Sequence, residues 1–280
     1  MNTNRINTII IAGLALASAA CTNVNGDSAT REISFTRNLA AEVYTLDGSA
    51  ADYGSDKDLN VALQVDILMP EAMYTNDIAV LQDSIRAKAF GDPSGVEAVS
   101  NYFDSTARQF GYPVTKVELS AGKRDSLLQS QPELMRYDGS AQVTVNVASM
   151  TPEIISFMIT SSSYMPRAAH GMYNETYVTY DTGHNKVLTL KDLFTPAGLE
   201  ALPQLIAARA ALNVSSLGQT DISALPSGDN FYMSADGDIV FVYQPYEVAS
   251  YAQGVIRVSF QPYELNSYLS NFAKALLLNE

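Results

Sequence analysis

Apolar side chains recur at every second position over residues 59–68 and again over 140–149. Val61, Leu63, Val65 and Ile67 share one face, as do Val143, Val145 and Val147. Side chains alternate across a strand, so this spacing predicts two half-buried β-strands whose sheet must find cover on one side. Residues 33–44 alternate in the same way, and a polar, glycine-containing turn over 47–58 joins them to the 59–68 strand. Pro70 is expected to stop that strand, because proline cannot donate to a ladder.

Helical spacing follows. Asp77 is a plausible N-cap ahead of Ile78, Leu81, Ile85 and Ala89, a stripe that runs to Gly91. Ser94 or Gly95 opens a second helix carrying Val96, Val99, Phe103, Ala107 and Phe110, which ends at Gly111. The chain then returns to strands at 114–119, 154–164 and 175–181. Residues 181–185 read as a hairpin turn into 187–190. Pro196 starts a helix with Leu199, Leu202, Leu205, Ile206 and Ala210 on one face. A hairpin over 230–234 and 239–244 turns at Asp236-Gly237, a strand at 255–260 follows, and 263–277 is expected to close the chain as one amphipathic helix. The fold class is α+β: antiparallel β-sheets with helices packed on them, in two intimately associated subdomains, 31–182 and 183–280.

Composition excludes several functions. The 280 residues are 47% hydrophobic, too apolar for disorder. A net charge of −13 argues against nucleic-acid binding, which needs clustered Lys and Arg, and would attract basic partners at low salt. An acidic surface is also a common solubility device. The chain has 16 Tyr and no Trp, so any sugar stacking would fall to tyrosine.

Signatures of catalysis are lacking. The two histidines, His170 and His184, do not form a helical zinc pair, and no Gly-x-Ser-x-Gly elbow, phosphate loop or dinucleotide fingerprint occurs. Asp229, Asp236 and Asp238 fail the calcium-loop spacing. Nothing singles out two carboxylates as a glycosidase pair. No catalytic residue, metal ligand or cofactor is assigned.

Cys21 is the single cysteine, so it can form no internal disulfide. It follows a short apolar run, 9–20, that is preceded by Arg5 and ends in small residues, which is the layout of a secretory signal. The run is too short for a membrane span, which takes about 20 apolar residues. The segment resembles a bacterial lipoprotein signal, although Ser18 stands where that signal usually carries a larger aliphatic. An ordinary signal peptide with a chance cysteine is the alternative. The resemblance implies a signal peptide over 1–20, lipidation (palmitate) of Cys21 and a polar tether over 21–30. Thr22, rather than Asp, favours an outer-membrane address.

Two further stretches carry a family likeness. One is Ala168-Ala-His170-Gly171 together with Asp181-Thr-Gly-His-Asn-Lys-Val-Leu-Thr-Leu-Lys-Asp-Leu-Phe194. The other is Phe231-Tyr-Met, then Phe241-Val-Tyr-Gln-Pro-Tyr246-Glu-Val-Ala-Ser-Tyr251-Ala-Gln-Gly254, then Val258-Ser-Phe. Together they resemble the extracytoplasmic domain, of unknown function, shared by the anti-sigma factor RsiV and the peptidoglycan deacetylase PdaC. On this reading 31–182 is the PdaC-like part and 183–280 the RsiV-like part. Ala168 replaces a glycine of the family turn, and Asn185-Lys186 replaces its Gly-Lys. Only eight residues precede the apolar run and no deacetylase domain is seen, so neither sigma-factor binding nor deacetylation is expected.

The resemblance implies an envelope-binding domain. His170, Tyr173, Tyr246 and Tyr251 are its candidate binding residues. Packing roles are expected ahead of binding for Tyr246 and Tyr251, with Gly254 supplying a positive-φ bend and the tyrosines filling the core. The expected function is a lipid-anchored, non-enzymatic envelope protein whose partner is a basic, lysozyme-like protein. A peptidoglycan-binding or glycan-binding module stacking sugars on Tyr164, Tyr173 and Tyr246 is the alternative. A hydrolase acting on wall sugars is a third.

Overall fold

The computed structural model describes residues 7–11, 33–73, 77–92, 97–129, 131–213 and 228–278. Cys21, the tether, and Ser94, Gly95 and Val96 at the expected helix start lie outside the described residues. The chain divides into two compact units: Met1–Val145 with Ser163–Gly171, and Asn146–Ser162 with Met172–Glu280. The fold class is α+β, as the alternation of periods implied.

The first unit is built on strands β2 (Ile33–Leu46), β3 (Asn60–Met73), β4 (Val114–Lys116) and the first half of β5 (Gly139–Met150); β1 (Asn7–Ile11), which pairs with β2, falls within the stretch expected to be removed as a signal peptide. Their order is β1-β2-β3-β5, with β4 along the far end of β2. The ladder is not all antiparallel. β3 and β5 run parallel, from Val61 opposite Gly139 to Ile67 opposite Val145. The long connection between them carries α2 (Ala79–Phe90), α3 (Glu97–Arg108), α4 (Ala121–Gln129) and α5 (Gln131–Leu134), which is the crossover that parallel pairing requires. A short helix, α1 (Ser49–Tyr53), occupies the stretch expected to be a turn.

β3 is buried on both faces, so its alternation understates its burial. Val61, Leu63 and Val65 lie on the side of Tyr44, whose hydroxyl reaches Asp104 of α3 at 2.9 Å. Ala62 joins Leu39, Ala41 and Val43 beneath Leu127, Leu128 and Leu134 of α4 and α5. Gln64 shares that second face at 3% exposure. Its amide donates to the Leu127 carbonyl at 2.7 Å and accepts from Gln142 at 2.7 Å. One side chain thereby satisfies a carbonyl that the end of α4 leaves without a helical partner.

Pro70 does not end β3. The strand continues to Met73 past a bulge at Glu71, for Phe35 faces Pro70 while Ser34 faces Ala72. An extra residue at a bulge is one of the few places where a strand tolerates proline. The Pro70 carbonyl accepts from Gln82 of α2 at 2.8 Å. The helical stripes hold: Leu81, Ile85 and Ala89 are buried on α2, and Phe103 and Ala107 on α3. The N-cap position is Ile78, not Asp77 as expected; Asp77 stands one residue earlier and accepts from the Ala79 N–H at 3.1 Å.

In the second unit the rest of β5 is followed in order by β6 (Ile154–Tyr164), β7 (Met172–Asp181) and β8 (Lys186–Val187). A separate antiparallel sheet, β11-β10-β9, comprises β9 (Phe231–Met233), β10 (Ile239–Tyr243) and β11 (Ile256–Phe260). Gly237 turns this hairpin at φ 87°. The apolar core unites α6 (Leu190–Leu193), α7 (Pro196–Asn213) and α8 (Asn271–Leu278) with Phe241, Val258 and Phe260. Leu202, Ile206 and Ala210 of the expected stripe are fully buried.

The single closing helix is corrected to two pieces. A 3-10 turn at Pro262–Leu265 and α8 are separated where Leu269 bridges Phe194. Ser270 breaks the run by donating its N–H to the Leu193 carbonyl at 2.8 Å and capping the Ala273 N–H through its hydroxyl at 3.1 Å.

Gln64→Leu should lower unfolding free energy by about 1–3 kcal/mol, the cost of removing the donor to a buried carbonyl and the acceptor for Gln142. Chemical denaturation checks it. The Gln64→Leu/Gln142→Leu double variant should cost less than the sum of the single changes, since both single changes lose the same Gln64–Gln142 hydrogen bond.

Candidate functional site

Strand β7 places Tyr173, Glu175 and Tyr177 on one face at period two. Glu175 is buried at 6% exposure and accepts from three groups. The Tyr173 hydroxyl donates to Oε1 at 2.9 Å, the Tyr177 hydroxyl to Oε2 at 2.8 Å, and the Arg257 guanidinium also to Oε2. Arg257 reaches in from β11 with its own side chain partly in solvent. A buried carboxylate is tolerable only when paired and hydrogen-bonded, and this one is both.

The backbone of Glu175 is held as firmly as its side chain. Its N–H donates to Gln244 Oε1 at 2.7 Å, while its carbonyl accepts from Gln244 Nε2 at 2.5 Å and Asn230 Nδ2 at 3.0 Å. Gln244 therefore acts as a peptide surrogate, fastening the end of β10 to β7. Asn230 also bridges the Val242 carbonyl at 3.1 Å and the Tyr177 N–H at 3.2 Å. Tyr177 stacks on Tyr232 with centroids 4.5 Å apart and planes 18° from parallel.

This environment shifts the titrating groups. Burial, reinforced by the hydrogen bond to Glu175, pushes the Tyr173 hydroxyl up to about 12. Burial likewise drives Tyr177 well above the ordinary tyrosine value. For Arg257 desolvation pulls downward, but the Tyr177 hydrogen bond and the charge of Glu175 outweigh it and hold the guanidinium above its usual value.

Two residues beyond Gln244 the chain enters the connection that carries Tyr246 and Tyr251. Gly254 adopts φ 67°, the positive-φ bend expected of it. Tyr246 does not fill the core: it is 58% exposed and sits at φ 71°, a backbone region that bulky residues rarely enter. Its N–H donates to the Ala249 carbonyl at 3.1 Å, closing a turn. Tyr251 is half-buried, with its ring centroid 5.5 Å from that of Tyr246 and the planes 32° apart. The connection thus carries a paired tyrosine surface beside a rigid polar network.

His170 is exposed, with Nδ1 2.9 Å from the Gly171 carbonyl, and belongs to the first unit, whereas Tyr173 belongs to the second. Tyr246 and Tyr251 come together. Glu175, Arg257, Gln244 and Asn230 were missed from sequence. The signal available was an acid between two tyrosines at period two on one face of a predicted strand.

The 181–194 motif has a structural account. Asp181, fully buried, accepts from the Gly183 and His184 N–H groups at 2.8 and 3.0 Å and contacts His184 Nδ1 at 2.7 Å. Asn185 takes φ 52° at the turn. Lys186 pairs with Asp192, which completes a capping box with Thr189 at the start of α6. Among the described residues no group of His, Cys, Asp and Glu could hold a metal, and no helix is long and apolar enough to cross a membrane. Two carboxylates, Glu42 and Asp104, do converge, at 2.5 and 2.9 Å from the buried Tyr44 hydroxyl, and Glu42 is also paired with Lys116.

Residues 191–264, the stretch holding α6, α7 and the three-stranded sheet, match a family described as a protein of unknown function, DUF3298. No curated protein matches the chain. Two solved structures share the fold. A member of the DUF3298 family from Bacteroides fragilis superposes with a TM-score of 0.63 at 19% identity, over 88% of this chain and 97% of that one. A DUF3298 family protein from Pseudomonas aeruginosa gives 0.53 at 16% identity, over 85% and 96%. The likeness covers both units, so the α+β plan extends beyond the matched segment.

The part of the stability that Tyr173 controls should be constant up to about pH 10 and be lost between 10 and about 12, because Tyr173 keeps its proton in the folded state after the unfolded chain has lost it. Tyr173→Phe should make the alkaline fall less steep, with Tyr177 keeping its share. Equilibrium unfolding at stepped alkaline pH, with tyrosinate absorbance followed in parallel, checks both.

Proposed function

We propose that this chain is a lipid-anchored cell-envelope binding protein without catalytic activity, acylated at Cys21 and held at the outer membrane, whose partner is a basic, lysozyme-like protein. The observation that carries the reading is Tyr246, a large amphipathic ring 58% exposed and pinned beside Tyr251 in strained backbone. Strained residues concentrate at functional sites, and exposed tyrosines supply contact area at small entropic cost. The net charge of −13 would steer a cationic partner to such a surface. Below the ring, the Glu175–Arg257 network keeps the root of the connection from reorganising on binding.

A peptidoglycan or glycan ligand is the second reading, supported by the same ring pair. Two tyrosine faces inclined by 32° suit the apolar face of a pyranose as well as they suit a protein side chain.

Surface-plasmon titration of residues 22–280 against lysozyme at two ionic strengths separates these readings. Binding with an on-rate that falls steeply with salt, and that weakens about tenfold in Tyr246→Ala, supports the protein partner. No binding at either salt, with depletion of the protein by purified sacculi, supports the glycan reading, and muropeptide release would overturn the non-catalytic assignment. Independently, Cys21→Ser should move the protein from the membrane to the soluble fraction and abolish palmitate incorporation.

A further inference from the structure

The connection between β6 and β7 breaks a local rule. Residues 165–168 form a turn closed by the Ala168 N–H on the Met165 carbonyl at 3.0 Å, with Pro166 and Arg167 at its centre. Proline followed by a residue of positive φ describes a type II turn, whose third position is the province of glycine or asparagine. Here that position holds Arg167, at φ 59°.

The turn has little freedom to relax. Pro166 is buried, and the Tyr164 hydroxyl donates to the Ala168 carbonyl at 3.0 Å. The surroundings are tight enough that a Cβ on Gly139 would lie 2.8 Å from the Phe110 ring, 3.0 Å from the Tyr164 carbonyl and 3.1 Å from Pro166. The strain falls on an arginine that is itself exposed. Its guanidinium carbon stands 5.2 Å from the centroid of the Tyr53 ring, and among the described residues it has no ion pair or hydrogen bond. The Tyr112 ring lies 6.2 Å from Tyr53, inclined by 52°, and its hydroxyl donates to the exposed Asp52 carboxylate at 2.9 Å. All four residues belong to the first unit.

We propose that Arg167, Tyr53, Tyr112 and Asp52 form a binding site for an acidic sugar, a pyranose ring bearing a carboxylate. The guanidinium fork, stacked on Tyr53, pairs with the carboxylate through two parallel N–H···O bonds. Tyr112 offers a ring face to the apolar side of the pyranose. Asp52 retains acceptor capacity for sugar hydroxyls, since Tyr112 uses only one of its lone pairs. A cation–π contact by itself would not need a left-handed backbone, because an arginine on ordinary backbone can cover a tyrosine. A strained position filled by a side chain whose fork is unpaired among the described residues points to a ligand rather than to the fold. The site is separate from the Tyr246 surface and stands whichever partner that surface takes.

The test is titration of the full chain with glucuronic acid and N-acetylmuramic acid, read by NMR shifts of the Tyr53 and Tyr112 rings. N-acetylglucosamine serves as the neutral control and acetate as the carboxylate without a ring. Both acidic sugars should bind, and both controls should bind at least about tenfold more weakly. Arg167→Gly should weaken binding by about tenfold or more while the melting temperature stays the same or rises, because glycine relieves the turn. Arg167→Lys should weaken it in the same direction through loss of the fork. Tyr246→Ala should leave it unchanged. Absence of acidic-sugar binding, equal binding of either control, or full binding by Arg167→Gly overturns the proposal. A melting temperature that drops in Arg167→Gly with binding retained assigns the arginine to the fold.

Discussion

Strand β3 must be covered on both faces, and much of the first unit follows from that demand. A strand buried on one side needs a single layer above it; β3 carries Val61, Leu63 and Val65 on one face and Ala62 with Gln64 on the other. Helices are therefore required on both sides, and the long crossover between β3 and β5 supplies them. The same crossover makes β3 and β5 parallel. Gln64 is the price of this plan, a polar amide in a core, met by the end of α4 on one side and Gln142 on the other. Since paired amides have direction, the Gln64–Gln142 contact also ties the parallel register to one alignment.

The second unit solves a related problem with charge. Glu175 is buried between two tyrosines and an arginine, while its backbone is gripped by Gln244 and Asn230. These contacts join β7 to β9, β10 and β11 through side chains where strand pairing does not reach. A rigid root then lets the 244–254 connection hold Tyr246 at positive φ with its ring in solvent. Packing, hydrogen bonding and exposure are linked there in one short stretch of chain.

Much of the layout was legible from residue spacing alone. Periods of two and of three to four located β2, β3, β5, β6, α2, α3 and α7, and Gly237 and Gly254 marked bends that the structure realises. What failed did so for identifiable reasons. Pro70 was read as a stop because a bulge opposite Ser34 and Phe35 leaves no local trace. α4 and α5 lack a strong stripe, since only Leu127, Leu128 and Leu134 turn inward. Tyr246 was read as core because an aromatic's burial depends on a turn at Ala249 that periodicity does not report. The Glu175 network was invisible because its members come from β7, β10, β11 and the segment before β9.

Sequence by itself determined the α+β class, the main strands and helices, and the apolar residues that must be buried, because backbone periodicity and hydrophobic burial are local in their demands. The single cysteine likewise excludes an internal disulfide, since there is no second thiol to pair with. Tertiary structure alone decided that β3 and β5 run parallel, that Glu175 meets Arg257, that Tyr246 faces water, and that Arg167 stands over Tyr53. Each of these depends on groups far apart in the chain meeting in space, and on which of them are left exposed once the core has closed.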